Sequence, residues 1–263
     1  MSRRIVHCVG MAIFTLSMEV HAQDPTGVVK KNTREEVFEL EPLGTIHVLV
    51  PTDQIKSVAL FVGGDGGWNT GVTDMAQLLA NEGALVAAVD IVPYLKSVDN
   101  GSSVCASPAD DFAKLTQAVA ERYALTGLLP PTLVGYSSGA TLVYTLLAQA
   151  PTGTFHGALS LGFCSTLEIH RPLCSTRNLA LHRTAEGLSL FPKHLDAPWF
   201  LLHGAADQAC TLDEVSAFAA AVPSARLIPL PKVGHGYAVA RRWHRQYVAA
   251  YKELAAIDLK PTP

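Results

Sequence analysis

Residues 135–139 read Gly-Tyr-Ser-Ser-Gly, with Ser137 two positions from a glycine on either side. The pentapeptide joins a short apolar run, "PTLVGY" (131–136), to an apolar run of helical length, about 138–149. In that setting G-x-S-x-G has mechanical meaning: the glycines let a strand and the following helix approach closely, and the serine hydroxyl projects from the sharp turn between them. A serine hydroxyl is a poor nucleophile at neutral pH. It needs a general base, and the base needs a carboxylate to fix its tautomer. Downstream, "LLHGAADQAC" offers Asp207 and "LPKVGHGYAV" offers His235, each just beyond an apolar run of strand type. Serine, acid and histidine in that chain order point to acyl transfer through a serine ester.

Acyl transfer also needs donors for the developing oxyanion. Ser138 opens the helix after the nucleophile, where backbone N–H groups have no partner within the helix, so its N–H is one candidate. The loop "VGGDGGWNTG" (62–71) follows the third strand-like run, and its glycines free backbone N–H groups to face a site. The N–H of Asp65 is the second candidate, with Gly64 or Gly66 as alternatives. A phosphate-binding loop is the rival reading, but G-x-x-x-x-G-K-[ST] is absent. Candidates for substrate contact are Gly64, Gly66, Trp68, Asp90 and Tyr136. Asp65 and Asp90 are carboxylates that could face a cationic group, although turn residue and strand-end cap are equally good roles for them. Among other histidines, His203 sits within or at the end of its run and reads as structural. His156, His170, His182 and His194 lack the strand-end position, and His244 reads as a surface residue of the last helix. No metal or cofactor is called for.

These residues require a scaffold that brings strand ends together. Strand-type runs occur at 45–50, 57–62, 84–90, 131–136, 156–163, 198–204 and 225–230. Helical patterns fall between them: "TDMAQLLANEG"; "SPADDFAKLTQAVAERYAL", with Ser107 as N-cap, Pro108 as first helical residue and Phe112, Leu115 and Val119 on one face; "LDEVSAFAAAV"; and a closing helix from about 237 to 254. Residues 91–106 read as a loop. Strands alternating with helices predict an α/β protein with a mostly parallel central sheet covered on both faces, the α/β-hydrolase arrangement, whose ligands bind beyond the carboxyl ends of the strands. One domain, 43–263, is expected, with 164–197 as an excursion over the site and 23–42 as an N-terminal arm leading into an edge strand.

The N-terminus, "MSRRIVHCVGMAIFTLSMEVHAQDP", has Arg3 and Arg4 before a short apolar core and a small residue, Ala22, before Gln23. That is the pattern of a secretory signal peptide, 1–22, removed on export to the periplasm. Its loss takes Arg3, Arg4 and Glu19 from 20 basic and 23 acidic residues, leaving 18 and 22 and a formal charge of −4. Such a chain has no electrostatic footprint for nucleic acid. Cys105, Cys164, Cys174 and Cys210 remain, an even number in a compartment where disulfides persist. Four cysteines allow three pairings. Cys164 and Cys210 both follow strands that could be neighbours, but Cys174 competes equally for either. No C-x-x-C pair favours zinc.

The segments "GGDGGW", "VAAVDIVPYL", "LVGYSSGA", "GFCSTLEIHRPLC", "HGAADQAC" and "LPKVGHGYAV" together resemble the VirJ/AcvB family of secreted bacterial α/β-hydrolases, over about 43–256. The resemblance implies a periplasmic enzyme that hydrolyses the aminoacyl ester of lysyl- or alanyl-phosphatidylglycerol at the membrane surface, with Ser137, Asp207 and His235 as its triad. Pro93, where some members carry a basic residue, and the lack of the extra N-terminal domain of the AcvB form bear on the aminoacyl group. The resemblance also allows a secretion-linked periplasmic binding partner with a dormant triad, and a third possibility is a general carboxylesterase on soluble esters. "ARRWHRQ" (240–246) could meet anionic headgroups, but reads first as a solvated helix face around one buried tryptophan.

Overall fold

The computed structural model describes residues 32–239 and 242–258. The expected signal peptide lies outside the described residues, as do residues 23–31 of the N-terminal arm and Ala240 and Arg241 of the basic run. In chain order the elements are β1 (Thr33–Leu40), β2 (Gly44–Pro51), β3 (Ser57–Val62), α1 (Thr70–Asn81), β4 (Ala84–Val89), α2 (Ile91–Asn100), α3 (Pro108–Arg122), β5 (Thr132–Tyr136), α4 (Ser138–Gln149), β6 (Gly157–Leu161), β7 (Thr166–Leu167), β8 (Ala180–Arg183), β9 (Leu188–Phe191), β10 (Trp199–Gly204), α5 (Leu212–Ala220), β11 (Ala225–Leu230) and α6 (His244–Ala255).

Eight strands form one sheet in the order β1-β2-β4-β3-β5-β6-β10-β11. From β4 to β11 every neighbour is parallel, and β1 and β2 add an antiparallel edge. The inner strands are buried along their length, as β4 "ALVAAV" and β6 "GALSL" show, because helices cover both faces. On one face α1 and α6 pack through Met75, Leu79, Tyr247 and Leu254. On the other, α2, α3, α4 and α5 pack through Tyr94, Phe112, Leu142 and Phe218. Tyr144, Phe163, Trp199 and Phe218 form an aromatic cluster there, and the buried Trp199 indole N–H donates to Ser160 Oγ (3.0 Å).

Four stretches differ from the expectations. Residues 33–40, assigned to the arm, are the strand β1, paired along its full length with β2. Residues 91–106, read as a loop, begin with α2. Pro93 disguises this helix in the sequence, yet it sits in the first turn, where a backbone N–H has no helical partner to lose. Within the excursion, β7, β9 and β8 build a small antiparallel sheet. The last helix starts at His244 instead of Tyr237, because Tyr237 has a positive φ (50°) and its carbonyl accepts from the buried Trp243 indole (2.9 Å). Arg242, Arg245 and Gln246 are exposed around that tryptophan. Ser107 precedes α3 as expected, without a side-chain cap bond.

Among the described glycines, backbone approaches backbone most closely at the turn from β5 into α4. A Cβ on Gly139 would lie 2.3 Å from the Val62 carbonyl oxygen, and one on Gly135 would lie 2.1 Å from the Gly139 carbonyl oxygen. Both neighbours are backbone, so neither can rotate away. Gly139→Ala is therefore expected to cost about 3 kcal/mol or more, read as a lower urea midpoint. Gly71→Ala in α1, where the added carbon meets Asn69 Oδ1 at 3.5 Å, is expected to be neutral or to gain about 0.5 kcal/mol.

Candidate active site

Ser137 occupies the turn between β5 and α4 with φ 56° and ψ −122°, a conformation that side-chain-bearing residues rarely adopt. Its N–H is held by the Leu161 carbonyl of β6 (2.9 Å), and its carbonyl receives the Ala140 N–H (2.8 Å). The strained backbone is thus pinned from both sides. The side chain faces His235, with Ser137 Oγ 2.9 Å from His235 Nε2. His235 follows β11, and its other nitrogen, Nδ1, is 2.8 Å from Asp207 Oδ2. Asp207 lies in the loop after β10 with its side chain shielded from solvent. Three residues spread over 98 positions of chain are thereby brought into one hydrogen-bonded line.

Each member has its own support. Asp207 Oδ1 accepts the N–H groups of Ala209 (2.9 Å) and Cys210 (3.1 Å), which leaves Oδ2 for His235. The carbonyl of His235 accepts the Tyr136 hydroxyl (3.1 Å), and burial, with the Asp207 and Asp65 charges adding, pushes the Tyr136 phenol up, so it remains a donor. Gly162, with φ +64°, leaves the room in which the His235 ring sits: a Cβ there would lie 3.4 Å from Cε1. His203 is fully buried at the end of β10 and burial lowers its pKa, which keeps it neutral; its Nε2 is 2.8 Å from the Cys210 carbonyl.

A cavity of about 540 Å³ opens over Ser137 and His235. Ser138 and Asp65 both line it. Ser138 begins α4, so its N–H has no intrahelical acceptor. Gly64 packs against Ser137, since a Cβ there would lie 2.9 Å from Ser137 Cβ. The Gly67 N–H closes a turn onto the Gly64 carbonyl (3.0 Å), and Asp65 sits at the turn's outer corner, exposed. The cavity base is apolar, with Phe163, Val215 and Phe218; its rim is acidic, with Asp65, Glu168, Glu186 and Glu214.

Not every expected contact residue reaches the cavity. Asp90 does not: Oδ1 caps α2 through the Val92 N–H (3.0 Å) and Oδ2 holds the Trp68 N–H (3.2 Å). A helix starting directly after β4 claims the carboxylate, so Asp90 anchors the glycine loop. Trp68 stacks on His47 at 4.8 Å, Gly66 packs beside Asn69, and Tyr136 braces His235 from behind. Conversely, the excursion brings Cys164, Ser165, Thr166, Glu168 and Glu186 to the cavity, and α5 brings Glu214, Val215 and Phe218. The excursion as a whole was expected over the site, but Glu168, Glu186 and the α5 residues were not singled out, because no local pattern marks them. Two disulfides decide the open pairing: Cys105–Cys174 and Cys164–Cys210. Among the described residues no His, Cys, Asp and Glu side chains gather as a metal site, and no helix is long and apolar enough to cross a membrane.

The chain superposes on solved structures over most of its length. Est1E from Butyrivibrio proteoclasticus superposes with a TM-score of 0.56 at 12% identity, over 85% of this chain and 99% of that one. XC6422 from Xanthomonas campestris, described as an α/β serine hydrolase without a lid, gives 0.54 at 18%, over 89% and 98%. A dienelactone hydrolase from Anabaena variabilis gives 0.57 at 14%, over 85% and 97%. The fold is that of an α/β-hydrolase. Residues 56–159 match the family model of the bacterial virulence protein VirJ, so the chain is VirJ-like from β3 to β6. The match takes in the glycine loop and Ser137; Asp207 and His235 lie beyond it. No curated protein is significantly similar in sequence.

A hydroxyl, an imidazole and a shielded carboxylate in this line can form and break an acyl-serine. Ser137→Ala is expected to lower kcat for ester cleavage by about 10⁶-fold, and Asp207→Asn by about 10⁴-fold by presenting the wrong imidazole tautomer. Circular dichroism should show both variants folded.

Proposed function

We propose that this VirJ-like α/β-hydrolase is a serine ester hydrolase, that it cleaves the aminoacyl ester of alanyl- or lysyl-phosphatidylglycerol, and that it does so in the periplasm after export. The observation that carries the substrate class is the charge of the cavity. Its ionisable lining consists of Asp65, Glu168, Glu186, Glu214 and His235, with no lysine or arginine. Glu214 is engaged by the Thr211 hydroxyl and N–H, whereas Asp65, Glu168 and Glu186 make no hydrogen bond or ion pair among the described residues. Such a rim favours a cation beside the scissile carbonyl and disfavours an anion there. An aminoacyl ester carries an ammonium group next to its carbonyl, and its phosphate lies on the leaving-group side, away from the rim.

In this reading Ser137 Oγ attacks the aminoacyl carbonyl as His235 Nε2 takes its proton. The oxyanion is met by the N–H groups of Ser138 and Asp65, and the lipid alcohol leaves with the proton from His235. Water, deprotonated by the same nitrogen, then releases the amino acid. Two disulfides support an oxidising compartment. Esterase and hydrolase names among the structural neighbours accord with the reaction class.

The test is a panel of aminoacyl-phosphatidylglycerol, unmodified phosphatidylglycerol and a neutral short-chain ester, each with wild type and Ser137→Ala. Release of amino acid from the first substrate by wild type only is expected. Equal or better turnover of the short ester would make the protein a general carboxylesterase. Full biological effect from Ser137→Ala would make it a binding partner. For the rim, Glu168→Gln with Glu186→Gln should raise KM for the aminoacyl lipid by about fivefold, the size expected of exposed charge pairs, and change KM for the neutral ester little.

A further inference from the structure

The two disulfides occupy different places in the molecule. Cys105–Cys174 joins the segment before α3 to the excursion, next to the isolated pairing of Ala106 with Leu173, and neither cysteine lines the cavity over Ser137. Cys164–Cys210 is in the wall of that cavity. Its two ends lead to opposite members of the catalytic line. At one end the Cys210 N–H donates to Asp207 Oδ1 (3.1 Å), and the Cys210 carbonyl accepts from His203 Nε2 (2.8 Å). At the other, the Cys164 carbonyl accepts the hydroxyl of Thr141 (2.7 Å), one turn into α4, whose own N–H reaches the Ser137 carbonyl (3.3 Å).

The bonds therefore close a ring: Ser137, Thr141, Cys164, the disulfide, Cys210, Asp207, His235 and Ser137 again. Asp207 is buried, but Ala205, Ala206, Gln208 and Ala209 around it are exposed, so the loop that presents the acid has little packing of its own. A disulfide is the one covalent member of the ring.

We propose that the Cys164–Cys210 disulfide is a positioning element for catalysis, holding Asp207 in line with His235, so that the reactivity of Ser137 depends on this bridge being oxidised and not on the other. The proposal rests on Ser137 being the nucleophile. It separates from a purely stabilising role because the bridges span 69 and 46 residues, and loops of such similar length constrain the unfolded chain almost equally. The Cys105–Cys174 variant is thus a matched control.

The experiment measures Ser137 labelling by a fluorophosphonate probe and hydrolysis of a neutral short-chain ester, neither of which depends on the natural substrate. Cys164→Ala with Cys210→Ala is expected to lower the maximal labelling rate and kcat by about 10- to 100-fold, as for a small misplacement of a catalytic group, with KM nearly unchanged. Cys105→Ala with Cys174→Ala should retain the wild-type rates. Dithiothreitol gives two electrons and two protons to a disulfide, leaving two thiols and its own cyclic disulfide. It should slow wild type and the Cys105/Cys174 variant alike, reversibly on reoxidation, and leave the Cys164/Cys210 variant unchanged. Equal losses in the two double variants, or wild-type rates without the Cys164–Cys210 bridge, would overturn the proposal. If the Cys164/Cys210 variant does not fold, the dithiothreitol response of the folded Cys105/Cys174 variant decides, with near-ultraviolet circular dichroism showing that packing is retained. Folded wild type that the probe does not label would instead refute the nucleophile assignment.

Discussion

Everything at the catalytic rim depends on one close approach of backbone. Where β5 turns into α4, the Cα of Gly139 faces the Val62 and Gly63 carbonyls at a distance that no side chain could occupy. That contact brings the end of β3, and with it the glycine loop, against the nucleophile turn. It also forces Ser137 into its positive φ, because no relaxed backbone turns from strand to helix in so little space. The strain is offset by hydrogen bonds to Leu161 and Ala140 and by the packing of α4, which is buried over nearly its whole length. A serine on a relaxed turn would lie further from His235 and from Gly64.

Around this turn, buried polar groups have defined partners. Asp207 uses one oxygen for its own loop and the other for His235. Asp90 divides its oxygens between α2 and Trp68. Tyr237, buried and with its phenol held far up by that burial, donates to the Leu202 carbonyl and so fixes the segment just after His235. Buried polar groups with defined partners specify a geometry, whereas unpartnered ones would be costly. The rim carboxylates follow the opposite rule: Asp65, Glu168 and Glu186 are exposed at the cavity edge and make no hydrogen bond or ion pair among the described residues.

Much of the fold was legible because its signals are local. The alternation of short apolar strands with helices, the glycines at 135 and 139, and the order of Ser137, Asp207 and His235 along the chain all follow from residue type and spacing. β11 and α4 fall at their expected bounds for the same reason. The local signal failed where a residue had a second identity. Pro93 reads as a helix breaker but sits in the first turn of α2, and the polar, mixed-charge run 33–40 reads as an arm but is an edge strand with one face exposed.

By itself the sequence determined the candidate residues Ser137, Asp207 and His235 and the rim on which they meet, since strand-to-helix turns and strand-end loops are encoded within a few neighbouring residues. Only the tertiary structure decided what surrounds them. The pairing of Cys164 with Cys210 and the arrival of Glu168, Glu186 and Glu214 at the cavity edge depend on how the excursion and α5 pack over the sheet. Those contacts join segments far apart in the chain, and no local pattern carries the distance between them.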